Sequence, residues 1–256
     1  MKRKVISLAV ASVLLVSCQK ENSILQTHPY NERSSGDLAL DPVNVIVIEN
    51  LLGPVIIQGN SDISRVGWFL DKWVNAESPS SADPVFSQIL VNLESRNDTA
   101  FVAVRVPPGT FSSSSLLSLS LPANIPCILR NIRGSSSVSY MKSNLVGENV
   151  ATTTIVGQEG NCIVAGSSGN ASLEISLPDS GLCSVTLVSG DIALKIPTAT
   201  SAMLFAQTGD GTIFHSTLVI ADSVRTEASI TGKLGGGRGS IHLSTGKGNI
   251  TITGIQ

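Results

Sequence analysis

From Val43 onward the chain alternates apolar and polar residues in short runs, separated by glycine, proline, serine and asparagine. Alternation with a period of two predicts strands that bury one face. The runs come into register when the sequence is aligned on Gly53, Gly134, Gly169, Gly190, Gly209 and Gly239. Five residues before these glycines stand Ile48, Leu129, Val164, Val185, Leu204 and Leu234, and four after them stand Ile57, Val138, Leu173, Leu194, Ile213 and Leu243. Seven residues before them the column reads Ile46, Cys127, Cys162, Cys183, Ala202 and Gly232, small side chains apart from the first. Pro122, Pro178 and Pro197 each precede one of the glycines by twelve residues. Proline cannot donate to a sheet ladder and glycine tolerates positive φ, so both mark places where a strand stops or bends.

Recurrence at nearly constant spacing predicts an all-β fold, a single-stranded β-solenoid (β-helix-like) of about 20-residue rungs. The competing reading is a β-sandwich of hairpins, which less often repeats its sequence. In the solenoid, Val185, Leu194, Leu204 and Ile213 are expected to stack in neighbouring rungs as one inward strip. Residues 63–106 interrupt the repeat: a strand around Val66–Val74, a short helix around Ala82–Leu90, and a hairpin whose arms flank Arg96-Asn97-Asp98-Thr99. These elements suit a cap, because an uncovered sheet edge invites unwanted pairing. The expected organisation is a signal at 1–17, a lipidated Cys18 with a flexible tether at 18–42, N-terminal strands and cap at 43–106, and the β-solenoid at 107–256.

The first residues bear on compartment. Lys2, Arg3 and Lys4 precede the apolar stretch Val5–Val16, and Leu15-Val16-Ser17-Cys18 closes it. Twelve apolar residues cover only ~18 Å as a helix, short of the roughly 30 Å bilayer core, so the stretch predicts an export signal and not a span. The closing tetrapeptide resembles the lipobox of bacterial lipoproteins, which implies cleavage before Cys18 and acylation of its thiol, and hence a membrane partner through a lipid anchor. Gln19 is not the aspartate that resembles an inner-membrane retention signal. The expected location is therefore the bacterial cell envelope, at the outer membrane, facing the periplasm or the exterior. A net charge of −2 with 14% charged residues leaves no basic footprint and argues against nucleic acid as a partner.

Val45-Ile46-Val47-Ile48 with Gly53-Pro54-Val55-Ile56-Ile57, the Ser-Gly-Asn and Ser-Gly-Asp turns at Gly169 and Gly190, and the closing stretch from Gly237 to Ile252 resemble a bacterial adhesin-like domain family of unknown function. The resemblance covers roughly residues 43–256. It implies an exported or membrane-attached protein of β-strand repeats, and it carries over no catalytic or binding residue.

Candidate chemistry is sparse. Asp191 and Asp210 each follow an aligned glycine and are candidates for one ligand column, for Ca²⁺ or as an acid and base acting on a polysaccharide; residues after glycine are also ordinary turn formers, and that is the preferred reading. Trp68 and Trp73 lie five apart, on opposite faces of a regular strand, so one of them is a candidate for stacking against a sugar while core packing explains both. His28, His215 and His242 show no ligand spacing, and no cofactor or metal is expected. Cys127, Cys162 and Cys183 are open to a disulfide in an oxidising compartment, yet in-register neighbours on parallel strands have side chains that run alongside each other, which favours buried thiols. The expected function is a non-catalytic envelope lipoprotein presenting its solenoid for adhesion or envelope assembly, with glycan or envelope protein as partner. The rival is a solenoid that cleaves or binds polysaccharide.

Overall fold

The computed structural model describes residues 27–39, 43–49, 51, 53–106 and 113–256. The signal segment, Cys18 and most of the linker after residue 106 lie outside them. In chain order the elements are β1 (His28–Ala39), β2 (Val45–Glu49), β3 (Val55–Asn60), β4 (Arg65–Ala76), helix α1 (Pro79–Phe86), β5 (Leu90–Arg96), β6 (Thr99–Arg105) and β7 (Ser113–Pro122). There follow β8 (Cys127–Ile132), β9 (Ser136–Ser139), β10 (Leu145–Val150), β11 (Thr153–Gln158), β12 (Cys162–Ser168), β13 (Ala171–Ile175), β14 (Leu182–Ser189) and β15 (Ile192–Pro197). The last are β16 (Ala202–Asp210), β17 (Ile213–Ser216), β18 (Ile220–Arg225), β19 (Ser229–Leu234), β20 (Gly239–Lys247) and β21 (Ile250–Ile255).

One sheet runs β1-β4-β7-β3-β9-β11-β13-β15-β21-β17, and the other runs β5-β6-β2-β8-β10-β12-β14-β20-β16-β19-β18. Within each sheet the central strands are parallel, and the strands of the two sheets alternate along the chain, so each rung gives one strand to each sheet. This is the solenoid arrangement, because a sandwich of hairpins would pair antiparallel neighbours. Antiparallel strands close the ends of the stack: β1 and β4 on one sheet, β5 on the other at the same end, and β19 with β18 at the far end.

The expected order of rungs needs correction. The β2/β3 rung lies between β6/β7 and β8/β9, and the β20/β21 rung lies between β14/β15 and β16/β17. The solenoid therefore extends into residues 43–106, where β2, β3 and β6 are rung strands and only β4, α1 and β5 serve as cap. Alignment on glycines also passed over the rung β10/β11, whose corner is Ala151-Thr152.

All twelve apolar positions at the two aligned offsets are buried, none more than 5% exposed. Two of the six repeats nonetheless take another register. Gly239 opens β20 instead of forming a corner, and the corner glycine after β16 is Gly211 and not Gly209. Val185 pairs with Leu243, which pairs with Ala206; Leu204 pairs with Ile241, which pairs with Cys183. Val185 and Leu204 are thus neither in one column nor in adjacent rungs. A slip of two residues keeps every side chain on its face, so the burial expectation survived an error in register.

The expected tether is also corrected. Residues 28–39 form a strand paired with β4 along its full length, from His28 opposite Ala76 to Ala39 opposite Arg65. Its pattern is polar because only Tyr30 and Leu38 pack against the core. Ion pairs supplement the ladder: Arg33 with Asp71, Lys72 with Glu32 and Arg65 with Asp37. Helix α1 begins at the cap residue Ser78, whose side chain accepts from the Ser81 backbone N–H, with Pro79 at its first position. The Lys72 ammonium, buried beneath β1, donates to the Phe86 carbonyl at 3.1 Å, placing a cation where the helix ends.

Candidate functional site

The corners of the stack account for the recurring glycine turns. Gly190, Gly248 and Gly211 follow one another at one corner, and each leaves room for the carbonyl of the preceding rung. The residue after each corner builds a side-chain ladder. Asn170 Oδ1 accepts from the Asp191 N–H at 2.9 Å, Asp191 Oδ1 from the Asn249 N–H at 2.7 Å, and Asn249 Oδ1 from the Thr212 N–H at 3.0 Å. Asp191 is a member of this ladder, satisfying backbone donors between rungs. Asp210 is not: it precedes its corner and pairs in register with Lys247. The two aspartates therefore do not share a column, because Gly211, not Gly209, is the corner.

Cys127, Cys162 and Cys183 are buried free thiols. They share one inward column, in which Leu145 separates Cys127 from Cys162 while Cys162 and Cys183 are direct neighbours. Burial pushes the Cys127 and Cys162 thiols up to about 12 and raises Cys183 as well, so all three are held neutral. His242 stacks on Phe205 with ring centroids 4.9 Å apart, a packing role. Among the described residues no group of three or more His, Cys, Asp or Glu is placed to hold a metal ion.

The most distinctive side chains gather on β1 and β4. The tryptophans separate as their spacing predicts. Trp68 turns inward, opposite Gly36, where any side chain would collide with the indole ring. Trp73 faces outward and is 37% exposed, on the same face as Phe69, which is 52% exposed. Between them on that face stands Asp71. Arg33 of β1 grips its carboxylate with two bonds, Nη2 to Oδ2 at 2.9 Å in one arm, and lies 5.9 Å from the centre of the Phe69 ring. This hydrogen-bonded pairing holds Asp71 below the usual carboxylate range and Arg33 further above its own. A cleft of about 250 Å³ opens here, lined by Asn31, Glu32, Arg33, Asp71 and Trp73.

Sequence reasoning found Trp73 and missed its companions. Phe69 was visible in principle, because residues four apart on a strand share a face. Asn31 and Arg33 were hidden in a segment read as tether. A second cleft, about 340 Å³, lies along the edge pair β5/β6 and is lined by Leu90, Val91, Asn92, Ala103, Val104 and Arg105.

Fold and surface together define an all-β protein of stacked two-strand rungs with capped ends. The family model of the Toastrack domain DUF4097, a domain of unknown function, matches residues 164–253, from within β12 into β21. That segment resembles the Toastrack domain, whose β-solenoid-like fold agrees with the stacked rungs found there. Among solved structures, the chain is similar to a candidate cell adhesion protein from Clostridium sporogenes, with 12% identity, TM-score 0.48, and 89% of this chain and 100% of that one covered. It is also similar to a candidate adhesin from Parabacteroides distasonis (12% identity, TM-score 0.37, 86% and 97% covered) and to one from Bacteroides fragilis (10%, 0.33, 88% and 97%). No protein of curated function matches the chain.

Proposed function

We propose that this protein is a lipid-anchored envelope protein whose capped β-stack displays a fixed surface for attachment or envelope assembly, without turnover of a substrate. The supporting observation is the placement of its side chains. The reactive types of the stack have structural tasks, thiols filling the core and Asp191 bridging rungs, whereas two exposed rings, Phe69 and Trp73, share one face of the cap strand β4; the other exposed rings, Tyr140 and Phe214, stand apart from each other on the stack. Anchoring rests on the signal grammar ending at Cys18, which lies nine residues before the first described one. The anchor would hold the β1 end of the stack near the lipid surface.

Two measurements test this reading. Full-length protein made in a Gram-negative host should sediment with membranes, and Cys18→Ser should accumulate as unprocessed precursor; normal processing of that variant would refute lipidation. Vesicles carrying the full-length protein should attach to isolated cell envelopes or to whole cells more than protein-free vesicles do, and equal attachment would refute the adhesive role.

A further inference from the structure

We propose that the outer face of β1 and β4 binds a neutral glycan of equatorially linked pyranose rings, with Trp73 and Phe69 as ring platforms and Asn31 and Arg33 as donors to sugar hydroxyls. The inference rests on the attachment reading above and names a ligand class for its surface. Trp73 and Phe69 are four residues apart on one strand, roughly 13 Å at ~3.3 Å per residue, a span that an oligosaccharide bridges and a single sugar does not. Asn31 is the direct cross-strand neighbour of Trp73, and Arg33 is that of Asp71. An exposed aromatic face beside fixed polar groups suits a sugar, which offers an apolar C–H face and a rim of hydroxyls.

Charge narrows the class. Arg33 is neutralised by Asp71, and Glu32 by the Lys72 ammonium at 2.7 Å, so the cleft holds no uncompensated charge to attract an anionic or a cationic ligand. The polar pair between the rings also breaks the patch into separate platforms, which disfavours a continuous apolar partner such as acyl chains. Arg33 has its Nε and one Nη committed to Asp71 and over Phe69, leaving its other amino group free to donate. The bidentate grip fixes that group without a loop having to close.

The test uses full-length protein in a detergent without a sugar headgroup, titrated with chitohexaose, cellohexaose and maltohexaose by calorimetry and by tryptophan fluorescence. The chain has two tryptophans, and Trp68 is turned inward, so a ligand-induced change reports mainly on Trp73. Expected are saturable binding of chitohexaose or cellohexaose, at least about tenfold weaker binding by Trp73→Ala, about threefold or more by Phe69→Ala and Asn31→Ala, and less than about twofold change by Trp68→Phe. Preference for the N-acetylated probe would point to wall-type glycan, and preference for the plain one to a glycan from outside the cell; either supports the site. No saturable binding of either, equal binding of axially linked maltohexaose, or binding unmoved by Trp73→Ala would overturn it. Should Trp73→Ala fail to fold by circular dichroism, Asn31→Ala on the exposed edge decides alone. Vesicle attachment measured in parallel separates the two readings. Attachment that survives Trp73→Ala while no probe binds saturably removes the glycan site and keeps the adhesive role, and absent attachment by the parent removes that role while the titration stands by itself.

Discussion

Replacing Gly190 with alanine tests whether the corners set the spacing of the stack. Gly190 has φ +134°, a region essentially closed to residues with a side chain, and a Cβ there would overlap the Gly169 carbonyl oxygen of the neighbouring rung. Its N–H donates to the Lys247 carbonyl at 2.7 Å on the other side, so it cannot shift away without losing that bond. Backbone strain of this kind costs ~1–3 kcal/mol and a lost hydrogen bond about 1 more. Gly190→Ala should therefore cost roughly 2–4 kcal/mol, a large part of a total stability of ~5–15. Gly67→Ala is the matched control: the nearest atom to a Cβ there is Ser120 Cβ at 3.9 Å, and the change should stay within about 0.5 kcal/mol. Urea denaturation of residues 27–256, followed by circular dichroism, compares them. A Gly190→Ala midpoint equal to that of the parent, or equal losses in both variants, would refute the argument from stacked corners.

Leu204→Asp should cost several kcal/mol in the same assay by burying an unpaired carboxylate, whereas Thr186→Asp, on the exposed face of β14, should cost no more than about 0.5; similar losses would mean the faces are wrongly assigned. The native protein should resist alkylation of Cys127, Cys162 and Cys183 at neutral pH, and denaturation should release three reactive thiols per chain besides any at Cys18; a missing pair would reveal a disulfide. Because burial raises the Cys127 and Cys162 thiols from 9.0 to about 12, their neutral forms stabilise the fold fully below pH 9, and that stability is lost as pH rises towards about 12. A denaturation midpoint that stays flat across that alkaline window would argue that the thiols reach solvent.

How far the sequence disclosed this fold follows from what periodicity records. Alternation reports the face of a side chain, so the buried identity of Val185, Leu194 or Ile213 was legible, as was the helix-and-hairpin break before β7. It does not report which strand lies alongside which. The segment carrying Gly239 looked like one more sequential repeat, yet its strand β20 pairs with both β14 and β16. Nor does periodicity register a strand whose contribution is mainly backbone ladder and ion pairs, which is why β1 passed for tether. The candidate site suffered for the same reason. Trp73 stood out by residue type, but Arg33 and Asn31 acquire meaning only once β1 is laid against β4.

The two departures from sequential order have a consequence for how the molecule holds together. In an ordinary solenoid each rung touches its chain neighbours, so stability adds rung by rung and the ends can peel separately. Here β16 and β17 reach the β14/β15 rung only through β20 and β21, which come later in the chain, and β6 and β7 reach the β8/β9 rung only through β2 and β3, which come earlier. Neither end block can dock onto the stack through local contacts alone, and each docking requires closing long stretches of chain, which slows folding. The same interlock ties the exposed rings to the stack. The strand bearing Trp73 and Phe69 pairs with β1 on one side and with β7 on the other, and β7 is held in turn by β3. Freeing that surface means opening three parts of the chain together. Its backbone is thus held by the stack before any ligand arrives, so binding there would lose little to ordering the strands.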